Sequence, residues 1–308
     1  MTQTETKTWR IIDIINWGTQ YLKSKGIDEA RLTIELMLCH ILNCKRVDLY
    51  VDFERPLSKS ELEKLSAMIK RRLKREPLQY ILGKTEFMGF EFKVTPDVLI
   101  PRPETEILVE KVIETINKNF TAFEVVKVLD VGTGSGNIAI SIAKILGDRV
   151  SITGVDVSEK AIEIAKENAI LNDAKNINFA IADIFDDNLV DQIRKKFNIL
   201  VSNPPYVSTD EIDKLQEEVK SYEPMIALTD GSDGLNFYRR IAKVGKEIIF
   251  GDGYIFVEMA YGQSEKVVEI FKSEGYEKVE IFKDYLGIER VAKIKSEGNE
   301  SCSAKGQP

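Results

Sequence analysis

One histidine, His40, is all that a 308-residue chain contains. It lies in the apolar run "LMLCHIL", where a structural role is the expectation, and its solitude excludes Ser-His-Asp triads and histidine-based metal sites. Cysteine is nearly as scarce. Cys39, Cys44 and Cys302 form no C-x-x-C pair, so neither a disulfide framework nor a zinc site is expected, and a reducing compartment suits the chain. No apolar run approaches a membrane span, and "MTQTETKTWRII" has no basic segment followed by an apolar stretch of signal-peptide type. The expected placement is cytoplasmic, with no membrane partner. The formal charge of −7, from 43 Lys+Arg against 50 Asp+Glu, argues against a surface that clings to nucleic acid, and no direct nucleic-acid partner is expected. One basic run, "KRRLKR" from Lys70 to Arg75, stands against that balance. It reads either as a solvated face at the end of a helix or as a contact for an RNA-associated or acidic partner.

A hydrophobic content of 43% over this length is enough for one large domain and a small one. Residues 8 to about 75 read as helical. "SKSELEKLSAMIKRRLKR" opens with Ser58-x-x-Glu61, a capping-box pattern, before Leu62, Leu65, Ile69 and Leu73 at helical spacing. The period then changes. Phe90, Phe92 and Val94 alternate after Met88-Gly89, which predicts a short β-hairpin, and Pro103 with Glu104 and Glu106 announces a helix. From Val125 strand and helix patterns alternate, with strands predicted at 126 to 131, 151 to 156, 177 to 182, 197 to 202 and 253 to 259. Helices are predicted at about 136 to 147, 159 to 172, 234 to 248 and 263 to 274. The fold class is α/β, an open and mainly parallel Rossmann-like sheet with a small N-terminal helical bundle joined to it by the hairpin. The expected division is a helical domain over 1–76, a linker with the hairpin over 77–98, the α/β domain over 99–295 and a disordered tail over 296–308. No internal repeat is evident.

The chemistry begins at "VLDVGTGSGNIAI". Asp130, Gly132, Gly134 and Gly136 fall at the end of the first strand and the start of its helix, where glycine permits a tight turn and close backbone approach to a ligand. A G-x-G-x-G after a strand suits nicotinamide, flavin or adenosylmethionine. The dinucleotide pattern, however, is G-x-G-x-x-G, and an acid two residues before the first glycine repels a pyrophosphate while suiting a ligand that carries an ammonium group. Asp156, ending the second strand, is placed to accept from both ribose hydroxyls. Asp183, ending the third, can accept from an adenine amino group, with Ile184 and Phe185 as apolar cover.

The fourth strand, "FNILVS", runs into Asn203-Pro204-Pro205-Tyr206. Two consecutive prolines give up two backbone donors, and the loop sits at the carboxyl edge where open α/β sheets bind ligands. The nitrogen of an amide or aromatic amine is a poor nucleophile because its lone pair is delocalised. If the Asn203 side-chain oxygen and the Pro204 carbonyl hold both of its N–H groups, the lone pair can turn toward an electrophilic methyl in line. Tyr206 offers a face for a planar group. No strong base is required, which agrees with the missing histidines.

"SNPPYV" with "LDVGTGSG" resembles methyltransferases that act on planar nitrogens, among them DNA adenine-N6 and protein glutamine-N5 enzymes. "EPLQYILGKTEFMGFEFKVTPDVLIPRPETEILVE", "EPMIALTDGSDGLNFYR" and "IFVEMAYGQ" closely resemble the peptide chain release factor glutamine methyltransferases, the HemK or PrmC family, from about Trp9 to Lys295. The resemblance implies a class I S-adenosyl-L-methionine-dependent methyltransferase domain and a helical domain that recognises the release factor. It implies methylation of the side-chain nitrogen of the glutamine in the Gly-Gly-Gln motif. It places cofactor roles on Gly132, Thr133, Gly134, Ser135, Gly136 and Asp156, and substrate and catalytic roles on Asn203, Pro204, Pro205 and Tyr206. Some relatives carry an aromatic residue at the position of Ile184; Phe185 is then the substitute. The alternatives are a glutamine methyltransferase of a ribosomal large-subunit protein, whose members differ at "PRPETE", and a DNA adenine-N6 methyltransferase.

Overall fold

A computed structural model describes residues 8–190 and 196–296 of the chain. The chain divides into two units, one of residues 1–83 with Glu217–Tyr222 and one of residues 84–216 with 223–308.

The first unit is helical: α1 (Ile11–Ser24), α2 (Ala30–Leu42), α3 (Arg46–Val51), α4 (Lys59–Leu73) and α5 (Leu78–Leu82). Of the stripe read on α4, Leu65 and Ile69 are buried and Leu62 and Leu73 partly so, and they join a core that includes Ile11, Ile15, Leu22, Ile34, Met37 and Leu38. The capping box forms at α4, where the Glu61 N–H donates to Ser58 Oγ and the Ser58 N–H donates to the Glu61 carboxylate. His40 is exposed in the last turn of α2, not part of the core. The basic run is largely spent inside the unit: Arg71 pairs with Glu76, and Arg72 and Arg75 pair with Glu218 at 3.1 and 3.5 Å. Glu218 lies on a short helix, α9 (Glu217–Tyr222), whose Tyr222 hydroxyl donates to the Lys74 carbonyl at 2.6 Å. The chain after the Asn-Pro-Pro-Tyr loop therefore lends one turn to the helical unit before returning, a path the sequence did not announce. The boundary also lies after α5, so the hairpin belongs to the second unit and does not form a linker with residues 77–83.

The second unit opens with the predicted hairpin, β1 (Lys84–Phe87) and β2 (Phe90–Lys93). Met88 and Gly89 both take positive φ, +52° and +76°, as a two-residue turn that matches strand twist requires. Helix α6 (Thr105–Asn119) follows, with Glu104 as its N-cap; Pro103 precedes the helix instead of opening it. The sheet then assembles from β3 (Val126–Val131), β4 (Val150–Asp156), β5 (Ile177–Ile181), β6 (Phe197–Ser202) and β7 (Ile249–Glu258), all parallel. A pair not foreseen, β8 (Val279–Lys283) and β9 (Glu289–Lys295), adds antiparallel to β7, giving the order β5-β4-β3-β6-β7-β9-β8.

The strands read as near-continuous apolar runs because both faces are covered, as parallel sheets require. On one face Val128, Ile199 and Val201 pack with Leu108, Val112 and Ile116 of α6 and with Ile140 of α7 (Asn137–Leu146). On the other, Leu129, Leu200 and Ile255 pack with Tyr238 and Ile241 of α11 (Asn236–Ile248) and Phe271 of α12 (Ser264–Ser273). The chain winds one way from β3 to β4 and the other way to β6, and such a switch point opens a crevice at the carboxyl ends of the strands. Ser202 Oγ donates to the Val131 carbonyl at 2.7 Å and ties the two strand ends together there. Ser296, assigned from sequence to the tail, is buried and its N–H donates to the Gly253 carbonyl; the tail beyond it lies outside the described residues.

Candidate active site

A cavity occupies the switch point. Its wall includes Gly132, Gly134, Asp156, Asp183, Ile184, Asn203 and Pro205 from the strand ends, Asp97 to Leu99 from the segment after the hairpin, and Phe237 from α11. Three acids and a carboxamide predicted separately thus divide into those that meet at one place and one that does not.

Gly132, Gly134 and Gly136 take φ of +71°, +53° and +80°, the left-handed conformation that residues with a Cβ adopt only under strain. Gly132 and Gly134 face the cavity, while Thr133, Ser135 and Gly136 are buried away from it. Asp156 fixes the turn as well as lining the cavity: Oδ2 accepts from the Gly134 N–H and Oδ1 from the Ser158 N–H, both at 2.9 Å. Its burial raises its pKa against those backbone donors. Asp183 Oδ1 accepts from the Phe185 N–H at 2.8 Å, closing the turn after β5. Asp130 lies beneath the turn, fully buried, with Oδ2 accepting from Thr133 Oγ1 at 2.6 Å. Burial lifts its pKa to about 7 against the pull of that hydroxyl. Asp130 thus supports the glycine loop from below and is not on the cavity wall.

Ile184 is buried on the wall as expected, but Phe185 is not on it. Phe185 packs edge-on against Phe237 at 4.9 Å, and Phe237 is the aromatic residue that faces the cavity. Only the tertiary fold brings α11 there.

Asn203 reaches the wall from the end of β6, and its Nδ2 donates to Thr105 Oγ1 at 3.1 Å. Pro204 and Pro205 are buried, and Pro205 also lines the cavity. Tyr206 turns inward: its hydroxyl donates to Glu258 Oε1 at 3.3 Å, and its carbonyl accepts from Gln263 Nε2 at 2.9 Å. The planar face predicted for it is not on this cavity's wall. Glu258, at the end of β7 and fully buried, was not singled out from sequence. Burial pushes its pKa up to about 7, while hydrogen bonding from Thr105, the Arg290 charge and the Tyr206 hydroxyl pull it down. Also unforeseen is the latch behind the loop: Glu223 is buried, pairs with Arg102, and accepts from the Ile100 N–H at 3.3 Å.

This donor set fits adenosylmethionine. Two carboxylates at the strand ends offer acceptors for ribose hydroxyls and an adenine amino group, Ile184 and Phe237 offer apolar faces for a purine, and the glycine turn lets the backbone approach. No group of three or more His, Cys, Asp or Glu able to hold a metal occurs among the described residues.

The sequence matches two family models, PrmC N-terminal domain over residues 13–83 and Methyltransferase domain over residues 123–280. A release factor glutamine methyltransferase of Geobacter sulfurreducens is 41% identical over 284 residues, covering 92% of this chain and 95% of the relative. Another, from Thermodesulfovibrio yellowstonii, is 43% identical over 256 residues, covering 83% and 88%. Among solved structures, a methyltransferase from Pyrococcus furiosus superposes with a TM-score of 0.51 at 16% identity over 76% of this chain and all of that one, a likeness of fold. The cavity at the switch point, the glycine turn and the similarity along nearly the whole chain lead to one conclusion: this is an adenosylmethionine-dependent methyltransferase and belongs to the release factor glutamine methyltransferase family.

Proposed function

We propose that the enzyme methylates the side-chain amide nitrogen of the glutamine in the Gly-Gly-Gln motif of peptide chain release factors. Family membership supports the substrate class. The observation that carries the chemistry is Asn203 on the wall of the cavity that also holds Asp156 and Asp183. Bound adenosylmethionine supplies an electrophilic methyl group. Asp156 holds the ribose, Asp183 the adenine amino group, and Ile184 with Phe237 the purine faces, while Asp130 and Thr133 keep the glycine turn in shape.

Asn203 Oδ1 and the Pro204 carbonyl accept the two N–H groups of the glutamine amide and align its nitrogen. As the nitrogen–carbon bond forms the sulfur–methyl bond breaks, leaving a neutral thioether. The nitrogen becomes positive and both acceptors strengthen their hold, so their stabilisation is greatest in the transition state, and one of the two amide protons is then lost to water. Pro204 and Pro205 carry no N–H to compete for those acceptors. The growing positive charge makes the amide protons more acidic, which removes the need for a strong base.

Selectivity among glutamines comes from the helical unit, residues 1–83 with Glu217–Tyr222, reading a surface of the release factor remote from the reacting nitrogen. The glycines of the motif let its backbone enter a narrow site. The described residues contain no helix long and apolar enough to cross a membrane, and the proposed placement is the cytoplasm, where translation factors act. Incubation with methyl-labelled cofactor and, in parallel, a purified release factor, a large-subunit ribosomal protein fraction and adenine-containing DNA tests the reading. Label on the release factor alone is expected; label on either of the others instead would overturn it.

A further inference from the structure

From β2 the chain runs through residues 94–96 to Asp97, Val98 and Leu99, which line the same cavity as Gly132 and Gly134. This strap is fastened to α8 (Glu159–Leu171) and its C-cap at four places. Asn172 Nδ2 donates to the Glu91 carbonyl at 2.8 Å, Glu167 pairs with Lys93, and Lys160 pairs with Asp97 at 2.9 Å. Those three ties are exposed to solvent. The fourth is not, because its side chain, Asn168, is fully buried.

Asn168 Oδ1 accepts from the Lys93 N–H at 2.7 Å, and Nδ2 donates to the Lys93 carbonyl at 3.0 Å and to the Ser135 carbonyl at 2.9 Å. The orientation of this amide is forced. Two backbone carbonyls have no hydrogen to give, so only the NH2 end can face them, and the oxygen is left for the N–H. One buried side chain thus spends both protons and its acceptor on main chain, on the strap at one side and on the glycine turn at the other. The same face of α8 meets that turn again, since a Cβ placed on Gly136 would stand 3.1 Å from the Ala165 Cβ. Ala161, one turn earlier on that face, lines the cavity itself.

We infer that Asn168 is a positioning residue for the cofactor: it locks the strap to the glycine turn and so sets the separation of two walls of the adenosylmethionine cavity, residues 97–99 and 132–134. Asn168 is not itself on the wall. Its effect passes through Lys93 and Ser135, and the inference rests on the cofactor cavity alone, whichever nitrogen is methylated. Asn203 reaches the cavity separately, from the end of β6. Loss of the lock should therefore fall on cofactor affinity and spare the rate once cofactor is saturating, a split that general loosening of the fold would not produce.

The test is calorimetry with adenosylmethionine on the full chain carrying Asn168→Asp, Asn168→Ala or, for comparison, Asn172→Ala. Aspartate keeps the shape and one acceptor but turns a second oxygen toward the two carbonyls. It is expected to weaken cofactor binding about tenfold, the scale of one lost hydrogen bond, and Asn168→Ala at least as much. Single-turnover methylation of release factor at saturating cofactor should stay within about twofold of wild type for both. Asn172→Ala removes a tie between strap and helix that does not reach the glycine turn, and should leave cofactor affinity nearly unchanged. Hydrogen exchange on the wild-type chain needs no variant. Adenosylmethionine should slow exchange of the Lys93 amide about tenfold, although Lys93 is off the cavity wall, and slow that of Phe90 in the same strand far less. Wild-type affinity in Asn168→Asp, an equal loss in Asn172→Ala, a saturated rate that falls as far as the affinity, or a Lys93 amide indifferent to cofactor would overturn the inference. If both Asn168 variants fail to fold, the exchange result decides.

Discussion

Gly234 passes so close to the loop of residues 203–206 that a Cβ placed on it would stand 2.3 Å from the carbonyl oxygen of Tyr206. Its φ of +75° adds a second constraint, and Asp230 holds the segment by accepting from the Gly234 N–H at 3.1 Å and the Asn236 N–H at 2.8 Å. Gly234→Ala must therefore either displace residues 203–206 or shift the 230–236 turn. The expected result is a loss of about 1–3 kcal/mol in stability, the scale of a strained backbone position, with a fall in kcat larger than that loss explains. Denaturant unfolding and single-turnover rates measure the two effects; an alanine variant with wild-type kcat would show that the loop tolerates the shift.

Asn203→Ala removes the acceptor proposed to strengthen in the transition state. By comparison with loss of one donor from an oxyanion hole, about 3 kcal/mol of barrier, roughly a hundredfold or more in kcat, is expected. Because Asn203 shares the cavity wall with Asp156 and Asp183, cofactor affinity should change much less than rate. Calorimetry and single-turnover methylation separate the two.

Asp130 and Glu258 are both raised to about 7 from ordinary values of 3.8 and 4.5. Across that range the folded chain keeps protons that the unfolded chain has released. The folded state therefore binds more protons, and these groups make stability fall as pH rises from about 4.5 to about 7. Each contributes a slope of at most about 1.4 kcal/mol per pH unit. Carboxylates held low by partners, such as Glu61 and Asp97, act in the opposite sense but below about pH 4.5. Glu258→Gln should accordingly flatten the decline in denaturant-measured stability between about pH 5 and 7. An unchanged slope would mean that Glu258 titrates normally.

A chain beginning at Lys84 tests the division of labour between the two units. If the helical unit selects the protein substrate, the shortened chain still binds adenosylmethionine, but its kcat/KM on intact release factor falls by orders of magnitude. Its activity on a short Gly-Gly-Gln peptide changes far less. Equal losses on both substrates with cofactor binding retained would show that the unit supports the catalytic loop instead.

Much of this arrangement is legible in the sequence where local pattern and burial agree. The bounds of β3 and β6 follow from sequence because each carries apolar residues on both faces and ends at a turn signal, and Ser58 with Glu61 forms the capping box its spacing announces. β8 and β9 were not read. Their charged residues, as in "ERVAKIK", blur the alternation, and pairing at the sheet edge holds them in place. The start of α6 differs from the expectation because proline favours a first helical position in general, whereas here Glu104 occupies the N-cap position after Pro103. At the site, residues carried by strand ends were found because a strand's carboxyl end points to the crevice. Phe237 and Glu258 are not legible in the sequence because only contacts between distant segments bring Phe237 to the cavity wall and Glu258 to Tyr206. The sequence marks Asp130 at the glycine turn, and the fold adds that its carboxyl holds Thr133 from below.

The central claim is that Asn203 and its loop present one glutamine amide nitrogen for methylation. Tandem mass spectrometry of a release factor after incubation with enzyme and adenosylmethionine tests it most directly. A single added methyl on the side-chain nitrogen of the Gly-Gly-Gln glutamine, absent when Asn203→Ala replaces the wild type under the same brief incubation, is the predicted result. A methyl on another residue, or an unmodified motif in the presence of enzyme that demonstrably binds the cofactor, would contradict it.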